Sequence, residues 1–381
     1  MNKVRFGDVV SEVKLNVDRS CNPYAHYVAG DHMDSEDLTI HRYGNFATDD
    51  VGPAFTRIFK PGQILYGSRR TYLKKVAVAS FEGICANTTF VLESKDESVF
   101  DNRLLPFVIL SDKFTQWSIS HSKGSTNPYV LFSDLASFEF TLPPIEEQRV
   151  LADKLWAAYK LKESYKNLLV ATDEMVKSQF IEMFGNPLSS VQRYPLKKLG
   201  DCCELNPRRP NLTLKETDKV SFVPMPSVSE NGYLQDVVDE EYGKVKKGFT
   251  YFENNDVLFA KITPCMENGK GAIAEGLINN IGMGSTEFHV LRPIEGVSSP
   301  YWLLALTRLP IFRERASKNM TGTGGQKRVP ANYLENFMVG HPSIEEQNRF
   351  ENIYKQADKS KFELRKSIEA IDAVIKSLIN G

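Results

Sequence analysis

Ile145-Glu146-Glu147-Gln148 follows Pro143-Pro144, and 199 residues later Ile344-Glu345-Glu346-Gln347 follows Pro342-Ser343. Read forward without a gap, to Phe180 and Ile379, the two stretches share 11 identities in 36 positions. These include Ala158/Ala357, Lys160/Lys359, Lys162/Lys361, Ala171/Ala370, Asp173/Asp372 and Lys177-Ser178/Lys376-Ser377. A segment of similar length precedes each copy. The chain therefore reads globule, long helix, globule, long helix, an internal repeat suited to two-fold recognition.

The early glutamates of each copy favour the positive end of a helix dipole, and the prolines end whatever strand comes before. In the second copy Phe350, Tyr354, Ala357, Lys361, Leu364, Ile368, Ile371, Ile375 and Leu378 step alternately by four and three, the spacing of a coiled-coil seam. The first copy's equivalents are Leu151, Leu155, Ala158, Lys162, Tyr165, Leu169, Thr172, Val176 and Gln179, a weaker seam with its lysine at the same step. Seven acidic and seven basic side chains in 344–381 supply a solvated exterior. A helix of this length, ~60 Å at ~1.5 Å per residue, cannot bury such a stripe alone. The simplest partner is the other copy, packed antiparallel, because the second globule must bring the chain back. Lys162 and Lys361 then either form a polar layer that sets register or, the commoner outcome for lysine, snorkel outward. Gly185-Asn186-Pro187 stops the first helix, and the second runs almost to Gly381.

The two globules echo each other as well. Phe6-Gly7-Asp8-Val9 matches Leu199-Gly200-Asp201-Cys202, and Ile64-Leu65-Tyr66 matches Val257-Leu258-Phe259. Phe90/Phe288, Leu135/Leu334 and Phe138/Phe337 continue the register, which slips through small insertions in the second copy. Short apolar or alternating runs bounded by Gly, Pro and Asn predict strands at 63–66, 76–80, 88–92, 138–142, 256–260, 287–291 and 337–340. Helical pieces are predicted at 102–110 and 300–309. The fold class is α+β: two similar mixed globules with a curved sheet, at 1–143 and 185–341, and two long helices, at 144–184 and 342–381, forming an antiparallel coiled coil.

Composition excludes several function classes. Hydrophobic content of 41% and charged content of 25% are ordinary for a globular chain. The sequence has no long apolar run for a membrane span and no signal-peptide core, so a cytoplasmic location is expected. Five scattered cysteines form no C-x-x-C pair, which indicates neither a zinc cage nor a disulfide framework. His26, His32 and His41 lie near Cys21 and Asp31 in sequence, at spacings that fit no familiar ligand set. Thr321–Arg328 is glycine-rich and basic but lacks the spacing of a phosphate-binding loop, and Gly282-Met283-Gly284-Ser285 is half a dinucleotide fingerprint. No catalytic, cofactor or metal site is expected in this chain.

What the loops do carry is interleaved basic, polar and aromatic residues. In the first globule these are Ser68, Arg69, Arg70, Tyr72, Lys74, Lys75, Asn87, Lys123 and Ser125. In the second they are Lys246, Lys247, Lys261, Thr263, Lys270, Thr323, Gln326, Lys327 and Arg328. Arg and Lys take phosphates or the O6/N7 edge of guanine, Asn and Gln clamp adenine, and glycine lets backbone approach closely. Each single residue is as readily a solvated loop position. Recurrence at matched places, 68–70 against 261–263 and 123–127 against 322–326, favours contact for the sets. Net charge argues against a lone DNA binder: it is −1 overall, with 15 basic and 17 acidic groups in 1–143 and 19 and 17 in 185–343. Binding would rely on local patches or on partners that share phosphate neutralisation.

With the duplicated proline–Ile-Glu-Glu-Gln helix start and the stretch Phe252–Lys270, the chain resembles the specificity (S) subunit of type I restriction–modification systems. The resemblance implies two target recognition domains, each reading one half of a split, asymmetric site on double-stranded DNA, and a helix pair that sets the gap between the halves. It implies docking to two modification subunits, which carry S-adenosylmethionine, and to restriction subunits that use ATP, with no chemistry in this chain. Two other classes compete: a single-chain methyltransferase or nuclease with unrecognised motifs, and a coiled-coil scaffold joining two protein-binding globules.

Overall fold

The computed structural model describes residues 2–186, 189, 193–323 and 325–380. Pro187 of the expected helix stop, Gly324 of the glycine-rich loop and Gly381 lie outside them. The chain divides into two compact units, Met1–Lys166 with Arg365–Gly381, and Asn167–Leu364. Each unit holds one globule and a part of each long helix, Ile145–Phe184 and Ile344–Asn380.

The first globule contains a two-stranded ribbon and two four-stranded sheets. The ribbon pairs Asn2–Arg5 with Glu139–Leu142, antiparallel. One sheet runs Val10–Glu12, Thr89–Ser94, Ile64–Gly67, Val76–Val78, antiparallel throughout. The other runs Gly44–Asn45, His26–Val28, Gly83–Ala86, Phe55–Phe59, with its central pair parallel. The second globule repeats all three. Leu196–Lys198 pairs with Met338–Gly340. Cys203–Leu205, Phe288–Pro293, Val257–Ala260 and Gly271–Ile273 form the antiparallel sheet. Val238–Glu241, Lys219–Val223, Ile281–Gly284 and Thr250–Glu253 form the mixed one. The sequence runs account for one strand of each ribbon, 139–142 and 338–340, for 64–67, 76–78 and 89–94 of the first antiparallel sheet and for 257–260 and 288–293 of the second, and they leave out strands 2–5, 10–12, 196–198, 203–205 and 271–273. They miss the mixed sheets, whose strands carry Gly, His, Arg or acidic residues and show no clean alternation.

Repeated residues sit where the repeated packing needs them. Leu135 and Leu334 are fully buried, each in a short helix (Phe132–Ala136 and Ala331–Glu335). Each helix lies against a glycine: a Cβ on Gly7 would fall 2.6 Å from the Ala136 Cβ, and one on Gly200 3.1 Å from the Glu335 carbonyl oxygen. Gly282 has a similar packing role. It lies in a buried strand against the Phe252 ring, so Gly282–Gly284 serves the sheet rather than a phosphate.

The last residue of the repeated tetrapeptide ties each long helix to its globule. Gln148 is 1% exposed: its Oε1 accepts from Asp101 N at 3.0 Å, and its Nε2 donates to Val99 O at 2.9 Å and Pro143 O at 2.8 Å. Gln347 is 0% exposed and does the same with Ser299 N (2.9 Å), Val297 O (3.0 Å) and Pro342 O (3.1 Å). Only a primary amide offers one acceptor and two donors in that geometry.

In the first unit Lys162 Nζ meets Asp372 Oδ1 at 2.5 Å, while Leu151 and Leu155 share an apolar groove with Leu378 and Ile379. In the second Lys361 Nζ meets Asp173 Oδ1 at 3.0 Å, and Phe180 and Phe184 pack edge-on against Phe350. In both, the two helix segments run antiparallel. The seam residues Leu151, Leu155, Leu169, Val176, Phe350, Leu364, Ile368, Ile371, Ile375 and Leu378 are all buried or half-buried. Snorkelling, the commoner expectation for the two lysines, is not what occurs. Lys361 is 2% exposed between Asp173 and Asp358, with its ammonium over the Tyr354 ring. The duplicated Lys162/Asp173 and Lys361/Asp372 pairs thus exchange partners, and each lysine finds the other copy's aspartate. The helices also pack on the globules, which the seam pattern alone does not require: Ala152, Leu155 and Tyr159 join the first core, and Val176, Phe180 and Phe184 the second.

In the first unit a polar cluster fastens the 37–41 loop to the helix. Asp37 accepts from Tyr159 Oη at 2.6 Å, Thr39 N at 2.9 Å and Lys166 Nζ at 2.9 Å. His41 Nε2 lies 3.3 Å from Asp37 and 3.6 Å from Glu163. These three groups are close enough to chelate, but Lys166 already bridges both carboxylates, 2.9 Å from each. Burial pushes the Asp37 carboxyl up, and the Tyr159, Lys166 and Thr39 hydrogen bonds outweigh it and hold it at about 2. Because the folded value is depressed, this stability is present above the ordinary 3.8 and is lost as pH falls towards about 2. Urea unfolding of Asp37→Asn should therefore lose the part of the acid dependence that lies in that window, up to about 2 kcal/mol. Gln347→Leu leaves Ser299 N and Pro342 O without partners and should lower stability by about 3 kcal/mol, read from the urea midpoint.

Candidate nucleic-acid interface

Within each globule two of these loops meet, 68–70 beside 128–130 in the first and 261–263 beside 327–329 in the second, and the same backbone frame holds them in each. In the first, Lys123 and Tyr129 exchange N–H···O bonds (2.7 and 2.9 Å) across the 124–128 turn. Arg70 N then donates to Pro128 O, Val130 N to Ser68 O, and Ser68 N to Thr88 O. In the second, Thr321 and Arg328 exchange N–H···O bonds (2.9 and 2.8 Å) across 322–327. Thr263 N donates to Lys327 O, Val329 N to Lys261 O, and Lys261 N to Glu287 O. All five bonds have counterparts. Positive φ at Gly124 (86°) and Gly322 (122°) closes the turns, which explains glycine at both places.

The frame presents different side chains in the two globules. In the first, Ser68 is buried and its hydroxyl donates to Thr88 O at 2.6 Å, so it holds the frame together and does not face outward. Arg69, Arg70, Tyr72, Asn87 and Ser125 are exposed. No ion pair engages Arg69 or Arg70 among the described residues. Arg70 (φ 50°) and Lys74 (φ 48°) bracket the turn Thr71–Leu73 in left-handed conformation, a strained setting for side chains of this size. Lys74 is paired with Glu36 at 2.8 Å, Lys123 with Asp134 at 3.0 Å, and the Lys75 ammonium donates to Gly30 O. Those three are less free to meet a ligand than the two arginines.

In the second globule Arg328 Nε and Nη2 donate to the two oxygens of Glu287 at 2.8 Å each, and Nη1 to Gln326 O at 3.0 Å. That contact holds the Glu287 carboxyl below its ordinary range. Lys261 stands beside them, half-buried and without an ion pair among the described residues. Burial lowers its affinity for the proton, Glu287 opposes this and Arg328 adds to it. Burial lowers the proton affinity of His289, whose Nε2 lies 2.8 Å from Val329 O. The Thr263 hydroxyl donates to Glu267 Oε1 at 2.8 Å. Thr323, Gln326 and Lys327 are exposed on the turn, and Lys270 is half-buried where its carbonyl accepts from Ala260 N. Lys246 and Lys247 are elsewhere: they follow the Tyr242–Val245 helix beside the mixed sheet, and Lys246 is paired with Glu216.

Tyr129 and Glu287 are the frame residues that reading the sequence missed. Nothing local marks them; a carboxylate next to a basic loop becomes visible only once strand pairing puts Glu287 under Arg328. The arrangement offers hydrogen-bond donors and cations along one edge of each globule.

The family described as the type I restriction modification DNA specificity domain matches residues 38–169 and 193–372. The type I restriction enzyme EcoAI specificity subunit of Escherichia coli is 36% identical over 169 residues, which is 43% of this chain and 29% of that protein. The EcoEI specificity subunit of the same organism is 30% identical over 244 residues, 61% of this chain and 38% of that protein. The chain thus matches less than two-fifths of the length of either relative. The crystal structure of a type I restriction-modification system S subunit from M. genitalium shares the fold, with a TM-score of 0.57 at 13% identity over 99% of this chain and 94% of that one. A chain from a type I R-M system structure superimposes with a TM-score of 0.54 at 18% identity, over 99% of this chain and 96% of that one. With its two matched segments covering most of its length, the chain belongs to the type I restriction modification DNA specificity family.

Proposed function

We propose that this chain is the non-catalytic, sequence-specific DNA-recognition subunit of a type I restriction–modification complex, working in the cytoplasm. The observation that carries the reading is one backbone frame built twice and furnished with different side chains, as two readers of unlike half-sites require. Residues 1–143 would take one half-site and 185–341 the other, with 144–184 and 342–381 as the helical parts. Near-neutral charge supports a component whose partners share the phosphate contacts. Those partners are double-stranded DNA, two modification subunits that carry S-adenosylmethionine, and restriction subunits that use ATP.

The test is the chain co-assembled with its modification subunits. Methylated adenines mapped across a genome should fall in a split site, and exchanging residues 1–143 for those of a relative should change one half only. An unchanged site after the exchange, or methylation without sequence preference, refutes the reading. Arg69 and Arg70 are the cations of the first globule's frame that no ion pair engages among the described residues. Replacing them together, as Arg69→Ala with Arg70→Gly, should weaken binding of the assembled complex to all DNA sequences alike. The slope of log affinity against log salt should fall by about 2. Glycine also relieves the left-handed strain at position 70, so stability should hold or rise by about 0.5–1 kcal/mol while binding falls, as a melting curve beside a mobility-shift titration will show.

A further inference from the structure

We propose that Arg328 reads a guanine in the half-site of the second globule and that Glu287 is its positioning residue. The proposal rests on the DNA-recognition reading above and assigns a role within it.

A guanidinium has five N–H donors in a fixed plane. Three are engaged here: Nε and one Nη2 proton by Glu287, and one Nη1 proton by Gln326 O. The Glu287 contact uses the Nη2 proton on the Nε side and leaves the one at the tip of the fork; with the Cδ-side proton of Nη1 on Gln326 O, the other Nη1 proton lies parallel to it. That pair matches the O6 and N7 acceptors guanine shows in the major groove. The guanidinium is accessible, with the side chain 40% exposed, while the backbone at Arg328 is clamped to Thr321 on one side and bridged to Ile262 on the other. The fork is therefore aimed before any ligand arrives, and little rotamer freedom is left to lose on binding. A residue meant only to neutralise phosphate gains nothing from a carboxylate that cancels its charge. Lys261, next to it and without a carboxylate of its own, is the better phosphate ligand. At the same frame positions the first globule has Ser68, Thr88 and Tyr129, all neutral, so this discriminator acts on one half-site alone.

The experiment compares the methylated site of the assembled complex for the wild-type chain, Arg328→Lys, Arg328→Ala and Glu287→Gln. The wild type should show an invariant G·C pair in the half-site that follows residues 185–341. Both arginine variants should relax that pair, with discrimination falling roughly 5- to 150-fold, and should leave the other half-site intact as the internal control for folding. Glu287→Gln should relax the same pair while total DNA affinity holds or rises, since a negative charge is lost and Arg328 remains. Variants that keep full selectivity and bind uniformly more weakly make Arg328 a phosphate contact and overturn the proposal alone, as does a half-site with no invariant G·C pair. A wild-type complex with no sequence preference overturns the recognition reading and this proposal with it.

Discussion

Each long helix is committed to its globule by one buried amide. Gln148 and Gln347 each satisfy two carbonyls and one N–H of the chain that packs beside the helix start. Those backbone groups are shut off from water and have to be paired somewhere. A carboxylate there would offer no donor and a methionine nothing at all. The constraint explains why the tetrapeptide is written twice with its glutamine intact while most of the helix surface diverges. It also sets where the helix begins, and so which of its residues face the globule core and which face the other helix.

The duplicated Lys and Asp positions follow a similar logic. Ammonium groups half or fully removed from water need a carboxylate close by, and removing one partner of such a pair is costly. Exchange between copies meets that need with a single motif: Lys162 takes Asp372 in one unit, and Lys361 takes Asp173 in the other. Lys361 adds Asp358 and the Tyr354 ring. The copies can be alike in sequence and still differ in burial, because the first packs beside Tyr159 and the Asp37 loop and the second beside Tyr354.

Specificity requires the opposite of duplication. Backbone bonds of the loop frame recur one for one, since they depend on strand geometry and on glycines such as Gly124 and Gly322. The side chains carried on them do not recur. Ser68, Thr88 and Tyr129 in one globule hold the frame positions that Lys261, Glu287 and Arg328 hold in the other. A rigid frame with variable side chains lets base preference change without disturbing the fold.

The sequence by itself determined the repeat, the long helices with their seam, the two middle strands of each antiparallel sheet, and the match of loop 68–70 to 261–263 and of 123–127 to 322–326. Each of these leaves a local trace: a periodicity, a breaker or a repeated word. The tertiary structure decided the rest. Only it turns Lys162 and Lys361 inward, because a lysine's direction depends on an aspartate in the other copy rather than on its own neighbours. Only it separates Arg69 and Arg70, left free, from Lys74, Lys75 and Lys123, which are engaged, since ion pairs join residues far apart in the chain. Glu287 under Arg328 is the plainest case. The two stand 41 residues apart, and no pattern in one linear stretch can report a contact that strand pairing creates.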